Sequence, residues 1–171
     1  MPRRPSLRPP RLAGALLAAA QFGQAQWFFG NLYEAVVQIP DRLAHRRDLA
    51  VPPGEPVTVG SMLRPGSPVR FYLPLAPVTV GAAVAALGVG WNGAAAQRRW
   101  STASVAGTLT AGLSTAYIVR AINVRLFFAA EPPSAEEREA LLRRWYALNA
   151  IRMAATAVAW IGARRARSST R

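Results

Sequence analysis

Two opposite charges stand in stretches otherwise built to avoid charge. Arg152 lies inside Trp145 to Ala163, WYALNAIRMAATAVAWIGA, and Glu34 lies near the end of an apolar run that closes with QIP. A cation inside a membrane-length helix costs at least ~2.5 kcal/mol at the helix centre, so Arg152 needs a partner or a wet cavity. Glu34 is the candidate. At ~1.5 Å per residue it sits ~8 Å from a helix end at Ile39, and Arg152 ~10 Å from a helix end at Trp145, so the two share a depth. The guanidinium's planar fork of donors suits a carboxylate, which can meet it with two bonds. Asparagines accompany the pair at i,i+3: Asn31 with Glu34, Asn149 with Arg152, and Asn123 with Arg120 on a further helix.

Such a constellation has two uses. It can staple a helix bundle, the asparagines completing the hydrogen bonds of the ion pair. Alternatively it lines a small outward-facing polar pocket, floored by the glutamines of the first helix and walled by Trp27, Tyr33, Tyr117 and Trp145. Trp145, like Trp91, Trp100 and Trp160, has a further account as an anchor at the membrane interface.

Positioning these groups requires four helices. Polar residues of the first run, Gln24, Trp27, Asn31, Glu34 and Gln38, step by three and four and share one side of a helix, while Phe22, Phe29, Leu32 and Val36 take the other sides. Pro40 closes that helix because it has no N–H to donate to the preceding turn. The spacing predicts an all-α, four-span transmembrane bundle in a single membrane domain, with spans at about 12–39, 71–91, 101–123 and 145–163. A Pro- and Gly-rich extracytoplasmic loop covers 41–70. An amphipathic helix over 134–144, opened by the capping pair Ser134 and Glu137, should run straight into the fourth span. Within that helix, Glu137 with Arg138 and Glu139 with Arg143 are expected as solvated pairs. Glycines at 81, 88, 90, 107 and 112 suggest close helix contact rather than a cofactor loop, and the spans look unbroken.

The first segment, MPRRPSLRPPR followed by LAGALLAAA, also resembles the charged and apolar parts of a signal peptide. Its apolarity resumes through Val37, which favours an uncleaved span of membrane length. All eight acids fall in the first and third loops or at the adjoining end of the first span, while both termini and the second loop are purely basic. That asymmetry places both termini in the cytoplasm and the protein in the cytoplasmic membrane as a multi-pass chain.

The net charge of +13 comes from arginine alone, with no lysine. Because the arginines flank apolar spans instead of forming one basic face, the expected partner is the lipid bilayer and not nucleic acid. With no cysteine and a single histidine, His45, the chain offers no thiolate centre, no usual histidine metal site and no histidine-assisted nucleophile. Neither a metal nor another cofactor is expected.

The pattern LLRRW-x-x-x-N-x-x-R (Leu141 to Trp145, Asn149, Arg152) and the opening-span sequence FFGNLYEAVVQIP resemble the anthrone oxygenase-like family of small four-helix membrane proteins, much of it classed as a domain of unknown function. Many members carry histidine where this chain has Asn149. Some are associated with oxidation of anthrones to anthraquinones without a recognised metal or flavin. The resemblance implies a lipophilic aromatic small-molecule substrate, Glu34 as the base that forms an enolate, and Arg152 and Asn149 as oxyanion donors. Asn31, Trp27, Tyr33, Tyr117, Arg120, Asn123 and Trp145 would surround the substrate. A non-catalytic membrane scaffold, accessory protein or small-molecule carrier is the alternative, and the two differ in whether the polar groups meet at an accessible cavity or close up in a packed core.

Overall fold

A computed structural model describes residues 9–46 and 48–169; the basic tract of Arg3, Arg4 and Arg8 lies outside the described residues. Among these the chain is mostly helical, with no strand. The helices are α1 (Pro9–Val36), α2 (Ile39–Ala44), α3 (Val59–Met62), α4 (Pro68–Tyr72), α5 (Leu75–Val89), α6 (Ala95–Tyr117) and α7 (Ala135–Ser168), and α6 continues without interruption into a wider π-type winding over Ile118–Phe128. Two helical stretches, Pro68–Val89 and Ala95–Phe128, are long and apolar enough to cross a membrane.

Four helices form a closed ring in which α1 packs on α5 and α7, and α6 on α5 and α7. Small residues set these contacts. A Cβ at Gly107 would stand 2.6 Å from the Ala155 carbonyl oxygen, and one at Gly162 would stand 2.8 Å from the Ser104 nitrogen, so α6 and α7 touch backbone to backbone. On the opposite side Gly23 of α1 admits Thr79 of α5. Gln24 reaches across the ring to α6, its Nε2 donating to Ser104 Oγ and Thr108 Oγ1, both at 2.9 Å. It is therefore a bridge and not the floor of a pocket. Gly81 and Gly88, expected at contacts, face open space instead.

At the other end the helices lose regularity. The chain leaves α1 after Val36, and Gln38 adopts a left-handed conformation (φ 55°) ahead of Pro40 in α2. The second span, expected to be unbroken, is interrupted at Leu73 and Pro74. Pro74 and Pro77 lack the N–H groups that would meet the carbonyls of Arg70 and Leu73, which accounts for the break. In the π-type stretch the buried residues are Ile118, Ile122, Asn123, Leu126, Phe127 and Phe128, recurring at four- and five-residue spacing. The wider turn separates positions that an α-helix would keep on one side.

The loop before α4 is packed rather than loose. Leu43, Ala44 and Leu49 join Ile118, Ile122, Leu126, Phe127, Phe128 and Trp145 in one apolar cluster, and the Val51 N–H donates to the Phe128 carbonyl at 2.9 Å. Thr58 and Ser61 cap α3 reciprocally, and Ser67 caps α4. The expected helix over 134–144 indeed forms the first part of α7, with Ser134 Oγ accepting from the Glu137 N–H.

Glu137 pairs with Arg125 and not with Arg138: Arg125 Nε and Nη2 donate to its two carboxylate oxygens at 2.6 Å each. The i,i+4 pair of Glu139 and Arg143 forms as expected. Hydrogen bonds from Arg125, helped by its charge, hold the Glu137 carboxyl below the usual carboxylate range. A depressed carboxylate stabilises fully above its unfolded pKa, about 4.3, and the contribution fades as pH falls through the lower folded value. Wild type should thus lose stability on acidification below about pH 4 to a greater degree than Glu137→Gln, as read by thermal melts across pH in detergent.

Close helix contact makes a second expectation. Gly107→Ala and Gly162→Ala should each lower unfolding stability by about 1–3 kcal/mol through overpacking. Gly88→Ala, where a methyl meets nothing within 4 Å, should be neutral or stabilising by up to ~1 kcal/mol in the same melts.

Candidate functional site

Arg152 is 4% exposed and is held from its own helix. Asn149, one turn earlier on α7, accepts from Arg152 Nε at 3.1 Å and from Nη2 at 2.6 Å through Oδ1. The Asn149 amide donates in turn to the Asn31 backbone carbonyl of α1 at 3.3 Å. Two turns before Arg152, the ring of Trp145 lies 5.6 Å from the guanidinium carbon, within cation–π range. Glu34 approaches from α1, its Oε2 3.9 Å from Arg152 Nη2, with its side chain 12% exposed. The two charges do meet, as their matched depths predict, but the fork expected for the carboxylate is taken by Asn149.

Tyr72, the last residue of α4, completes the cluster, its phenol beside the Glu34 carboxylate. Gly30 makes this possible. A Cβ there would stand 2.5 Å from Tyr72 Oη, so the glycine opens the slot through which the phenol reaches Glu34 one turn further along α1.

The cluster borders a cavity of about 720 Å³ at the irregular end of the bundle. Trp27, Glu34, Tyr72, Asn123, Trp145 and Arg152 contribute to its wall, which is otherwise mainly aliphatic or small. A large apolar space with few polar groups has the form of a small-molecule site. Short helices α2, α3 and α4 cover it with Leu43, Met62 and Val69. Two of the wall residues carry a buried atom with no hydrogen-bond partner, Trp27 Nε1 and Asn123 Oδ1. Leaving a buried polar atom unpaired costs about 1–3 kcal/mol.

Of the residues singled out from the sequence, Trp27, Glu34, Asn123, Trp145 and Arg152 reach the cavity. Asn149 does not; it positions Arg152 from behind. Asn31 is fully buried but outside the wall, and its side-chain amide has no partner. Tyr33, next to Glu34 on α1, is rotated out of the bundle and 62% exposed. Tyr117 also faces outward, accepting a hydrogen bond from Arg144 with that guanidinium over its ring. Arg120 is exposed, because the π-type winding turns it away while Asn123 points inward. Gln38 is exposed beyond the end of α1. Sequence reasoning missed Tyr72 and the covering residues of α2 to α4; the one available signal was a tyrosine directly before the Pro74 and Pro77 break.

Among the described residues, no three histidine, aspartate or glutamate side chains come together as a metal site would need. His45 is engaged locally, its Nδ1 2.7 Å from the Asp41 carbonyl. What the arrangement offers is a carboxylate, a phenol and a guanidinium on one wall of an apolar space, a set able to take a proton from a bound molecule and hold the negative charge left behind. Comparison of the chain with family models, with curated proteins and with solved structures returns no match.

Removing the acceptor behind the arginine should cost more than removing an outward phenol. Asn149→Leu strands two donors of a buried cation and is expected to lower stability by roughly 1.5–3 kcal/mol, whereas Tyr33→Phe should stay within about 0.5 kcal/mol. Chemical denaturation of the detergent-solubilised variants measures both.

Proposed function

We propose that this chain is a four-span protein of the cytoplasmic membrane, both termini cytoplasmic, that takes a lipophilic aromatic molecule into its outer-half cavity and oxidises it without a cofactor. This is the activity implied by the resemblance to the anthrone oxygenase-like family. Its main support is that Glu34, Tyr72 and Arg152 open onto an apolar cavity rather than closing on one another in a packed core.

The four-span part rests on where polarity points. Along the apolar parts of α1 and α7, the polar residues Gln24, Asn31, Asn149, Arg152 and Thr156 are buried within the bundle. Their outward residues, Phe22, Phe29 and Val36 on α1 and Ile151, Val158 and Ile161 on α7, are large, apolar and exposed. An inside-out pattern of this kind suits helices in lipid. Helix α7, at 34 residues, reaches roughly 51 Å at ~1.5 Å per residue, enough to span and to project its amphipathic first turns into water.

The chemistry follows from the wall. Glu34 takes a proton from a ring carbon made acidic by a neighbouring carbonyl, and Arg152 and Tyr72 donate to the enolate oxygen. Dioxygen, the co-substrate, adds to that carbon; cleavage of the O–O bond with loss of water converts CH₂ to C=O. Because Arg152 gives its short hydrogen bonds to Asn149 and only a 3.9 Å approach to Glu34, the carboxylate is not locked in a fork and can accept from substrate. Asn149, assigned as an oxyanion donor by the resemblance, acts here by holding Arg152.

A second reading, a non-catalytic scaffold or carrier, draws support from the chain Arg152–Asn149–Asn31, which ties α7 to α1. The two readings separate in a titration of an anthrone-like ligand, under anaerobic conditions, into wild type, Arg152→Leu and Tyr72→Phe in detergent. The oxidase reading expects wild type to gain thermal stability, about 2.7 kcal/mol at one hundred times Kd, with both variants folded but weakly responsive, and oxygen uptake on admitting air. An Arg152→Leu protein that is merely unstable, beside a wild type that no ligand shifts, would establish the staple instead.

A further inference from the structure

Some residues of the cavity wall are also exposed on the outside of the bundle, and such residues mark its rim. On α5 and the break before it these are Leu73, Pro77 and Gly81; on α6 it is Ala116, nearer the irregular end than Gly81. The rim belongs to the two stretches long and apolar enough to cross a membrane. Large exposed apolar side chains lie on the same helices, Val78 and Val84 on α5 and Leu109 and Leu113 on α6. A Cβ at Gly81 meets nothing within 4 Å, and one at Gly112 meets only the Trp27 ring at 3.9 Å.

Inside, the polar side chains of the wall are few: Glu34, Tyr72 and Arg152 stand together, with Trp27, Asn123 and Thr115 on an otherwise mainly aliphatic or small lining. A carboxylate accepts and a guanidinium donates, so one hydroxyl satisfies both. The rest of the wall offers little to an extensively polar molecule.

Resting on the four-span, ligand-binding reading above, we infer that the cavity is filled sideways from the bilayer, through a portal beside α5 at Leu73, Pro77 and Gly81, by a hydroxyl-headed amphiphile of the alkylphenol class. Its head meets the Glu34, Tyr72 and Arg152 cluster, and its alkyl tail leaves through the portal into lipid. Dioxygen, which concentrates in lipid, reaches the ring by the same route.

The sequence contains no cysteine, so a single Val119→Cys carries a nitroxide on the cavity wall without background. In phosphatidylcholine vesicles the label's relaxation by dissolved oxygen, a lipid-soluble agent, is compared with relaxation by a water-soluble nickel chelate. The portal predicts strong oxygen and weak nickel collisions, a several-fold loss of oxygen access with Gly81→Trp, and no change with Gly88→Trp, a control on the same helix whose Cβ also meets open space and which lies outside the wall. Nickel access exceeding oxygen access, or indifference to Gly81→Trp, overturns the portal and leaves the catalytic reading with a water-borne ligand. In a second arm 4-dodecylphenol is dissolved in the same vesicles. It should raise the melting temperature of wild type and Gly88→Trp but not of Gly81→Trp, while phenol itself raises none. Equal shifts by phenol and dodecylphenol, or none by either, overturn the ligand class even where the label confirms the opening.

Discussion

The structure depends on keeping one guanidinium satisfied inside an apolar bundle. A buried guanidinium needs partners, and an ion pair alone would have to repay the desolvation of two charges. Neutral groups share the work. Asn149 accepts two of the arginine's hydrogen bonds, the Trp145 ring lies over its plane, and Glu34 balances its charge at a distance rather than by contact. Since Asn149 also donates to the Asn31 carbonyl, holding the arginine fixes α7 against α1. From that joint follow the depth of Glu34, the need for Gly30 one turn before it, and the place where Tyr72 can enter.

The bundle is built differently at its two ends, and the cavity results from the contrast. Around Gly107, Gly162, Gly23 and Gln24, small residues and short hydrogen bonds draw backbones together until no space remains. At the far end each helix departs from regular α geometry: α1 breaks before Pro40, the second stretch breaks at Pro74, and α6 widens into the π-type turn. Residues beside each departure, Pro40, Leu73 and Asn123 among them, appear in the cavity wall. Irregular backbone at such depth is tolerated where it borders a cavity.

Much of this was legible in the sequence because a polar stripe along an apolar helix reports its inward face directly. The three- and four-residue stepping of Gln24, Trp27, Asn31 and Glu34 placed all four on one side, and all four are inside or at the wall. The depth argument brought Glu34 and Arg152 together. It failed where periodicity itself changed: Arg120 and Asn123 share a side of an α-helix but not of a π-type turn, and Gln38 lies past the end of α1. Tyr33 failed for a simpler reason, since an aromatic beside the stripe is not in it. Tyr72 could not be found by pattern, because its position is set by a glycine on another helix and a proline break on its own, a coincidence in space with no period in sequence. Glu137 likewise chose Arg125 across a loop over its helical neighbour, as a bidentate partner outweighs proximity along the chain.

Staple and site are not competing descriptions of the same atoms. A residue that must bind a transient anion has to be rigid before the ligand arrives, which requires supporting hydrogen bonds, and incompletely satisfied at the face that meets it. Arg152 meets both conditions: two of its N–H groups are fixed by Asn149 from behind, while the carboxylate in front stands 3.9 Å away. Glu34 likewise has the Tyr72 phenol beside it on one side only. A purely structural pair in a low-dielectric interior would gain by closing to bidentate contact. The separation persists because both groups are anchored to different helices from behind, and the space between and before them is the cavity.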